Sequence, residues 1–199
     1  MARNPEQNQK MRDARRKKIL SIAVRLFAVR GLQATKISDI AGAAGMSQGL
    51  LYHYFKSKEE IFVEIVRMAF ENMNAAARAL ETSSMSPRDK LEVMVTKVVD
   101  SVRDSDDFVW FSTLISAASI SDAVPEEAKE IIQRERAVPY RVVARIVRAG
   151  QEDGTVKSQD ADELATAFWT AIKGLALHKA ALGNEFRAPS PAVLSSFFF

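Results

Sequence analysis

Residues 35–58, TKISDIAGAAGMSQGLLYHYFKSK, decide how this chain folds. Ile37, Ile40, Ala41 and Ala44 recur at i, i+3, i+4 and i+7, the spacing of one helical face. Thr35 stands where it can cap that helix, accepting a hydrogen bond from a backbone N–H that the first turn leaves unpaired. Gly45 ends the helix, because a left-handed residue is cheapest without a Cβ. Ser47 then caps a second helix, on which Leu51 and Phe55 stand four apart and point back toward the first. Gln48, Gly49, Tyr52 and His53 form the opposite, outward side. The pattern predicts a helix-turn-helix whose outer face offers an amide for base edges, a glycine permitting close approach, and polar rings within reach of phosphates.

Helical hairpins with a polar outer face also occur in proteins that never meet DNA. The run Tyr52-His53-Tyr54-Phe55-Lys56-Ser57-Lys58 favours the nucleic-acid reading, since clustered rings and two lysines are unusual dress for a solvated face. The stretch from Lys18 to Phe62 resembles the tetracycline-repressor (TetR) family of one-component transcriptional regulators. The resemblance rests on Ile19-Leu20, Leu26-Phe27, Gly31, Thr35, Ile37, Ile40-Ala41, Gly45-Met46-Ser47, Leu51-Tyr52, Tyr54-Phe55, Lys58 and Ile61 at fixed spacing. It implies Gln48 and His53 at base edges and Thr35, Lys36, Tyr52, Tyr54 and Lys58 at phosphates, with Ser47 and Gly49 on the same surface. Tyr54 also lies near the inner face, so packing is part of its expected role. The family pattern further implies a ligand-binding and dimerising body, with a four-helix dimer interface built from the last two helices of each chain.

Composition narrows the alternatives. In 199 residues, 47% are apolar and 27% charged, ordinary values for a soluble protein. The absence of cysteine excludes disulfides and thiolate metal sites, and the only histidines, His53 and His178, cannot pair on one helix, so no metal and no cofactor is expected. No apolar run approaches the roughly 18 residues of a membrane span, and the N-terminus is polar rather than signal-like, so the expectation is a cytoplasmic protein that makes no membrane contact. The net charge of +3 is unevenly spread, with +9 over residues 1–58 and −6 over the remainder. A basic front suggests an anionic partner there, with self-association or a ligand behind.

Outward from the motif, residues 1–11 lack periodicity and are expected to be a disordered arm. Arg12, Arg15, Arg16, Lys17 and Lys18 begin a basic helix that is either simply solvated or a cationic arm near phosphates. Ile19, Ile22, Ala23, Leu26 and Phe27 form its apolar stripe and Gly31 stops it. A long helix from Lys58 to Thr82, apolar on more than one side, is the expected lever between head and body. Ser86-Pro87 starts the next helix, which Asp104-Ser105-Asp106-Asp107 breaks. Phe108 to Ile120 is rich in rings and reads either as core or as the lining of a cavity for an apolar or aromatic ligand. Pro125 opens a helix with acids in its first turn, and Pro139 should kink it, putting Tyr140 on view. Arg134, Arg136, Arg141, Arg145 and Arg148 read as a solvated stripe rather than a second nucleic-acid face. The candidate effector-lining residues are Trp110, Phe111, Leu114, Tyr140 and Phe168.

Asp160 caps a helix from Ala161 to Leu182 that is apolar nearly all round, as expected of a helix held between its own core and a partner chain. Leu164, Phe168, Ile172, Leu175 and Leu182 are the candidate interface residues. The three phenylalanines that close residues 189–199 point to a final helix at the same interface or to a chain cut short. The expected fold is all-α, with a three-helix head over residues 12–60 followed by a helical effector-binding and dimerising bundle over residues 61–199. The expected function is a sequence-specific regulator, a repressor that binds a near-palindromic operator as a homodimer and is released by a small apolar or aromatic effector. The alternative is a sequence-independent architectural DNA-binding protein. An enzyme is disfavoured because no nucleophile–base pair or metal cluster has the required spacing.

Overall fold

The computed structural model describes residues 5–199, and among these every regular element is helical. In chain order they are α1 (Pro5–Ala34), α2 (Ile37–Ala44), α3 (Gln48–Tyr52), α4 (Lys58–Glu81) and α5 (Pro87–Asp104). There follow α6 (Asp106–Ala118), α7 (Glu126–Glu135), α8 (Val138–Glu152), α9 (Ala161–Leu182) and α10 (Pro191–Ser195), with one 3-10 turn (Gly183–Glu185) before α10.

The helix starts obey the expected capping chemistry. Ser57, Ser86, Ser105 and Asp160 each accept backbone N–H groups of the following first turn, at the heads of α4, α5, α6 and α9. Gly31 breaks α1 with φ 77°, and Gly45 closes α2 with φ 69°, conformations that a Cβ would penalise.

Several expectations are corrected. Residues 5–11 continue α1 rather than forming a disordered arm, while residues 1–4 lie outside the described part. Glu6, Gln7, Gln9 and Lys10 are good helix formers on a helix already nucleated by its packed half, and Gln9 Nε2 donates to Asp13 Oδ1 at 2.9 Å. Thr35 does not cap α2. Lys36 takes the cap position and its backbone N–H is accepted by Asp39 Oδ2 at 3.1 Å. Pro139 does not kink one helix but falls in the first turn of α8, beyond a two-residue turn at Arg136–Ala137, where its missing N–H goes unneeded.

Two hydrophobic clusters fill the molecule. The first joins Ile19, Phe27, Ile40, Leu51, Phe55, Ile61 and Phe62 to Leu114 of α6 and Ile131 of α7, so it runs continuously past residue 60. Phe27 and Phe62 meet edge to face at 5.5 Å inside it. The second gathers α5, α8, α9 and the C-terminal residues, with Phe168 at its centre. Phe198 is wholly buried there, 5.4 Å from the Phe168 ring, and its carbonyl accepts the Lys157 backbone N–H at 3.0 Å. The closing phenylalanines, read as a final helix at the partner interface or as a chain cut short, pack on their own chain, and Arg88 covers Phe199 at 4.1 Å.

Candidate nucleic-acid interface

The geometry of the head follows from which side chains it must hide. Leu51 is fully buried beneath α3 and Phe55 just beyond it, which together remove about 3–5 kcal/mol of apolar exposure and fix the helix's rotation. Gln48, Gly49, Tyr52 and His53 are consequently outward, Tyr52 being 52% exposed. Ser47 accepts the Leu50 N–H at 3.2 Å and so sets where α3 begins. A Cβ at Gly49 would meet nothing within the protein, so the space above it is free for an approaching surface. Lys36, at the head of α2, and Lys56, after α3, are both exposed. Tyr54 is half-buried against the first cluster, its hydroxyl 3.5 Å from Arg15 Nη1.

Three polar residues turn out to be internal ties. Thr35 is 0% exposed, and its hydroxyl donates to the Gly31 carbonyl at 2.8 Å, so it cannot reach a phosphate. Lys58 directs its ammonium inward to the carbonyls of Leu32, Gln33 and Thr35 at 2.8, 3.1 and 3.1 Å. All three of its N–H bonds are thereby committed, so the phosphate role expected of Lys58 is replaced by a clamp between α4 and the end of α1. Arg16, within the basic run, donates to the Tyr54 carbonyl at 2.7 Å, pairs with Glu64 on α4 and lies 4.2 Å over the Phe55 ring. No sequence signal separates these residues from their exposed neighbours, since lysine and arginine stems allow either fate.

The head is also tied to the body. Ser21 donates to Asp107 at 3.0 Å, Arg25 lies 5.5 Å over the Trp110 ring, and Gln33 donates to the Ala123 carbonyl at 3.2 Å. Of the candidate effector residues, Trp110, Phe111 and Leu114 pack in the first cluster and Tyr140 and Phe168 in the second. The candidate interface residues divide as well. Leu164, Phe168 and Ile172 are buried in their own core and Leu175 is half-buried, while Leu182 is 41% exposed. The outward face of α9 is instead Ala167, Thr170, Gly174, Leu177, His178 and Ala181, with Leu177 61% exposed. The signal that separates the two faces is the placing of Asp162, Glu163, Thr166, Thr170 and Lys173 on the exposed side, with Leu164, Ala165, Phe168, Trp169 and Ile172 at helical spacing on the buried one. The arginine stripe is largely ion-paired, with Arg134 to Glu135, Arg145 to Glu81 and Arg148 to Asp162. The Arg145 hydrogen bond holds the Glu81 carboxyl below its ordinary range.

An all-helical chain with an outward recognition helix on a basic three-helix head is a helix-turn-helix DNA-binding protein. Residues 19–65 match the family described as bacterial regulatory proteins, tetR family. The chain is 32% identical over 182 residues to the HTH-type transcriptional repressor KstR2 of Rhodococcus jostii (strain RHA1), covering 85% of this chain and 83% of that protein. Its fold matches the ketosteroid transcriptional regulator KstR2 of Mycobacterium tuberculosis, with TM-score 0.71 and 22% identity over 92% of this chain and 94% of that one. It also matches AibR in complex with isovaleryl coenzyme A and operator DNA, with TM-score 0.68 and 17% identity over 92% and 94%. The chain belongs to the tetR family of bacterial regulatory proteins and is a DNA-binding transcriptional regulator. Among the described residues no helix is long and apolar enough to cross a membrane.

Proposed function

We propose that this regulator is a repressor that binds a near-palindromic operator as a homodimer and releases it when a small apolar or aromatic ligand occupies the body. Residues 12–60 serve as the DNA-binding unit and residues 61–199 as the effector-binding and dimerising unit. The observation that carries this reading is the division of α3, with Leu51 buried and Gln48, Gly49, Tyr52 and His53 turned outward together. Gln48 and His53 read base edges, while Lys36, Tyr52 and Tyr54 meet phosphates beside Ser47 and Gly49. The relative from Rhodococcus jostii is named a repressor, and the AibR structure holds both an acyl-coenzyme A and operator DNA, which support the repressor and effector parts. A sequence-independent architectural role is not favoured by these relationships.

The outward face of α9 supports dimerisation. Ala167, Gly174 and Ala181 allow close helix approach, and Leu177 and Leu182 supply exposed apolar area. A two-fold dimer sets its recognition helices about 34–36 Å apart, in successive major grooves. The test is selection of bound duplexes from a random pool by the full chain, followed by footprinting. Enrichment of a sequence with two related half-sites about one helical turn apart is expected. A Leu177→Glu variant should sediment as a monomer and lose most operator affinity while keeping its fold. Failure to enrich any sequence would overturn the specific-regulator reading.

A further inference from the structure

The basic run of α1 is not a single patch. It holds six cations, Lys10, Arg12, Arg15, Arg16, Lys17 and Lys18, on turns that precede Ile19, the first buried residue among those described. All but Arg16 are exposed. Contacts at helical spacing sort them into two sides. Ser21 donates to Asp107 and Arg25 lies over the Trp110 ring, so their side of α1 faces α6. Lys17 and Lys18 stand four and three residues before Ser21, and Lys10 stands seven before Lys17, which places all three toward that side. Asp13, three residues after Lys10 and four before Lys17, adds a negative charge there.

The arginines stand on another side. Arg12 is three residues before Arg15 and four before Arg16, so the three share a face. That face meets Tyr54, whose carbonyl accepts Arg16 Nη1 at 2.7 Å and whose hydroxyl lies 3.5 Å from Arg15 Nη1. Arg16 is spent within the head, since it also pairs with Glu64 and covers the Phe55 ring at 4.2 Å. Arg12 and Arg15 are exposed, and among the described residues neither pairs with a carboxylate. Their guanidinium forks stay open to an anion, and guanidinium suits phosphate bidentately.

We infer that the Tyr54 side of α1, through Arg12 and Arg15, is a second DNA-contacting surface that holds phosphates beside the one met by Tyr54. Lys10, Lys17 and Lys18 remain solvated. This rests on the DNA-binding reading of Tyr54 above and extends the contact from α2 and α3 to α1. Three residues at helical rise separate Arg12 from Arg15 by about 4.5 Å, against one charge per about 3.4 Å of axis on a DNA strand, so each reaches a phosphate of its own. Contacts to backbone charge position the head and carry no base preference.

The test compares two variants of the full chain, Arg12→Gln/Arg15→Gln and Lys10→Gln/Lys17→Gln. Each loses two positive charges, so a difference between them reports position rather than net charge. Affinity is measured across a salt series on a duplex enriched from the random pool and on a shuffled duplex of the same length. The arginine variant should flatten the slope of log affinity against log salt by about 1.8 per subunit, about 3.6 for the dimer, on both duplexes. The ratio of the two affinities should hold. The lysine variant should keep a slope close to that of wild type. Both should melt within about 1–2 °C of wild type, because exposed substitutions cost little. A wild-type slope in the arginine variant, or equal flattening by the lysine variant, would overturn the inference, and the shuffled duplex decides this whether or not a sequence is enriched. If the arginine variant keeps the wild-type slope while a sequence is still enriched, the regulator reading stands and this surface falls. If it flattens the slope but the pool yields no sequence, the surface stands and the specific-regulator reading falls.

Discussion

Replacing Lys58 by methionine separates two roles that the same residue could play. The thioether preserves the length and much of the packing of the lysine stem while removing the ammonium. In the folded head that ammonium serves three carbonyls, two of them at part-buried positions and one exposed. A hydrogen bond to a charged group is worth about 1.5–3 kcal/mol, and partial solvation places these two part-buried bonds at the lower end. The exposed bond adds little, because water replaces it. Lys58→Met should therefore cost about 3 kcal/mol. For a chain of this size each kcal/mol moves the melting temperature by about 2–4 °C, so the midpoint should fall by about 6–12 °C. The assay is calorimetric or circular-dichroism melting without DNA, followed by operator affinity across a salt series below the variant's melting point. As a clamp, Lys58→Met lowers the midpoint and leaves the slope of log affinity against log salt nearly unchanged. A phosphate contact would do the reverse, leaving the midpoint within about 1–2 °C and reducing the slope by about 0.9 per subunit, about 1.8 for the dimer. That second pattern would refute the reasoning.

Thr35→Val keeps the buried shape and removes the hydroxyl that donates to Gly31, so stability should fall by about 1 kcal/mol with no change in the salt slope, measured by denaturant unfolding and binding titration. Gln48→Ala should cost about 1–3 kcal/mol on the selected operator and nothing on random DNA, relaxing preference at one base position, as competition binding would show. Glu81 is held below its ordinary value of 4.5 by the Arg145 hydrogen bond first and by nearby positive charge, so its contribution is complete above that value and is lost as pH falls through the lowered one. Melting curves of wild type and Glu81→Gln should accordingly differ at neutral pH and converge only once the pH has fallen below the lowered value. A gap that persists at low pH would contradict the ion-pair origin.

The head was largely legible because its signals are local. Residues three and four apart on one helix share a face, and a serine or a glycine acts on the turn beside it. The placement of Leu51 inward with Gln48 and Tyr52 outward therefore follows from spacing alone. The end of α2 at Gly45 and the Ser47 cap of α3 are read in the same way. The aromatic segment was less legible. Its helix was evident, but whether Trp110 faced a cavity or the head depended on α1 crossing beside it.

Periodicity and capping chemistry, both properties of adjacent residues, determined the helices of this protein, the helix-turn-helix and its outward face. Tertiary structure alone decided which polar groups of the head hold it together. Thr35, Lys58 and Arg16 are no different in type from residues that meet solvent, and their partners are 4, 23–26 and 38–48 positions away. It likewise drew Phe198 onto Phe168. A long cationic side chain reaches whichever carbonyl or carboxylate the assembled fold brings within about 3 Å.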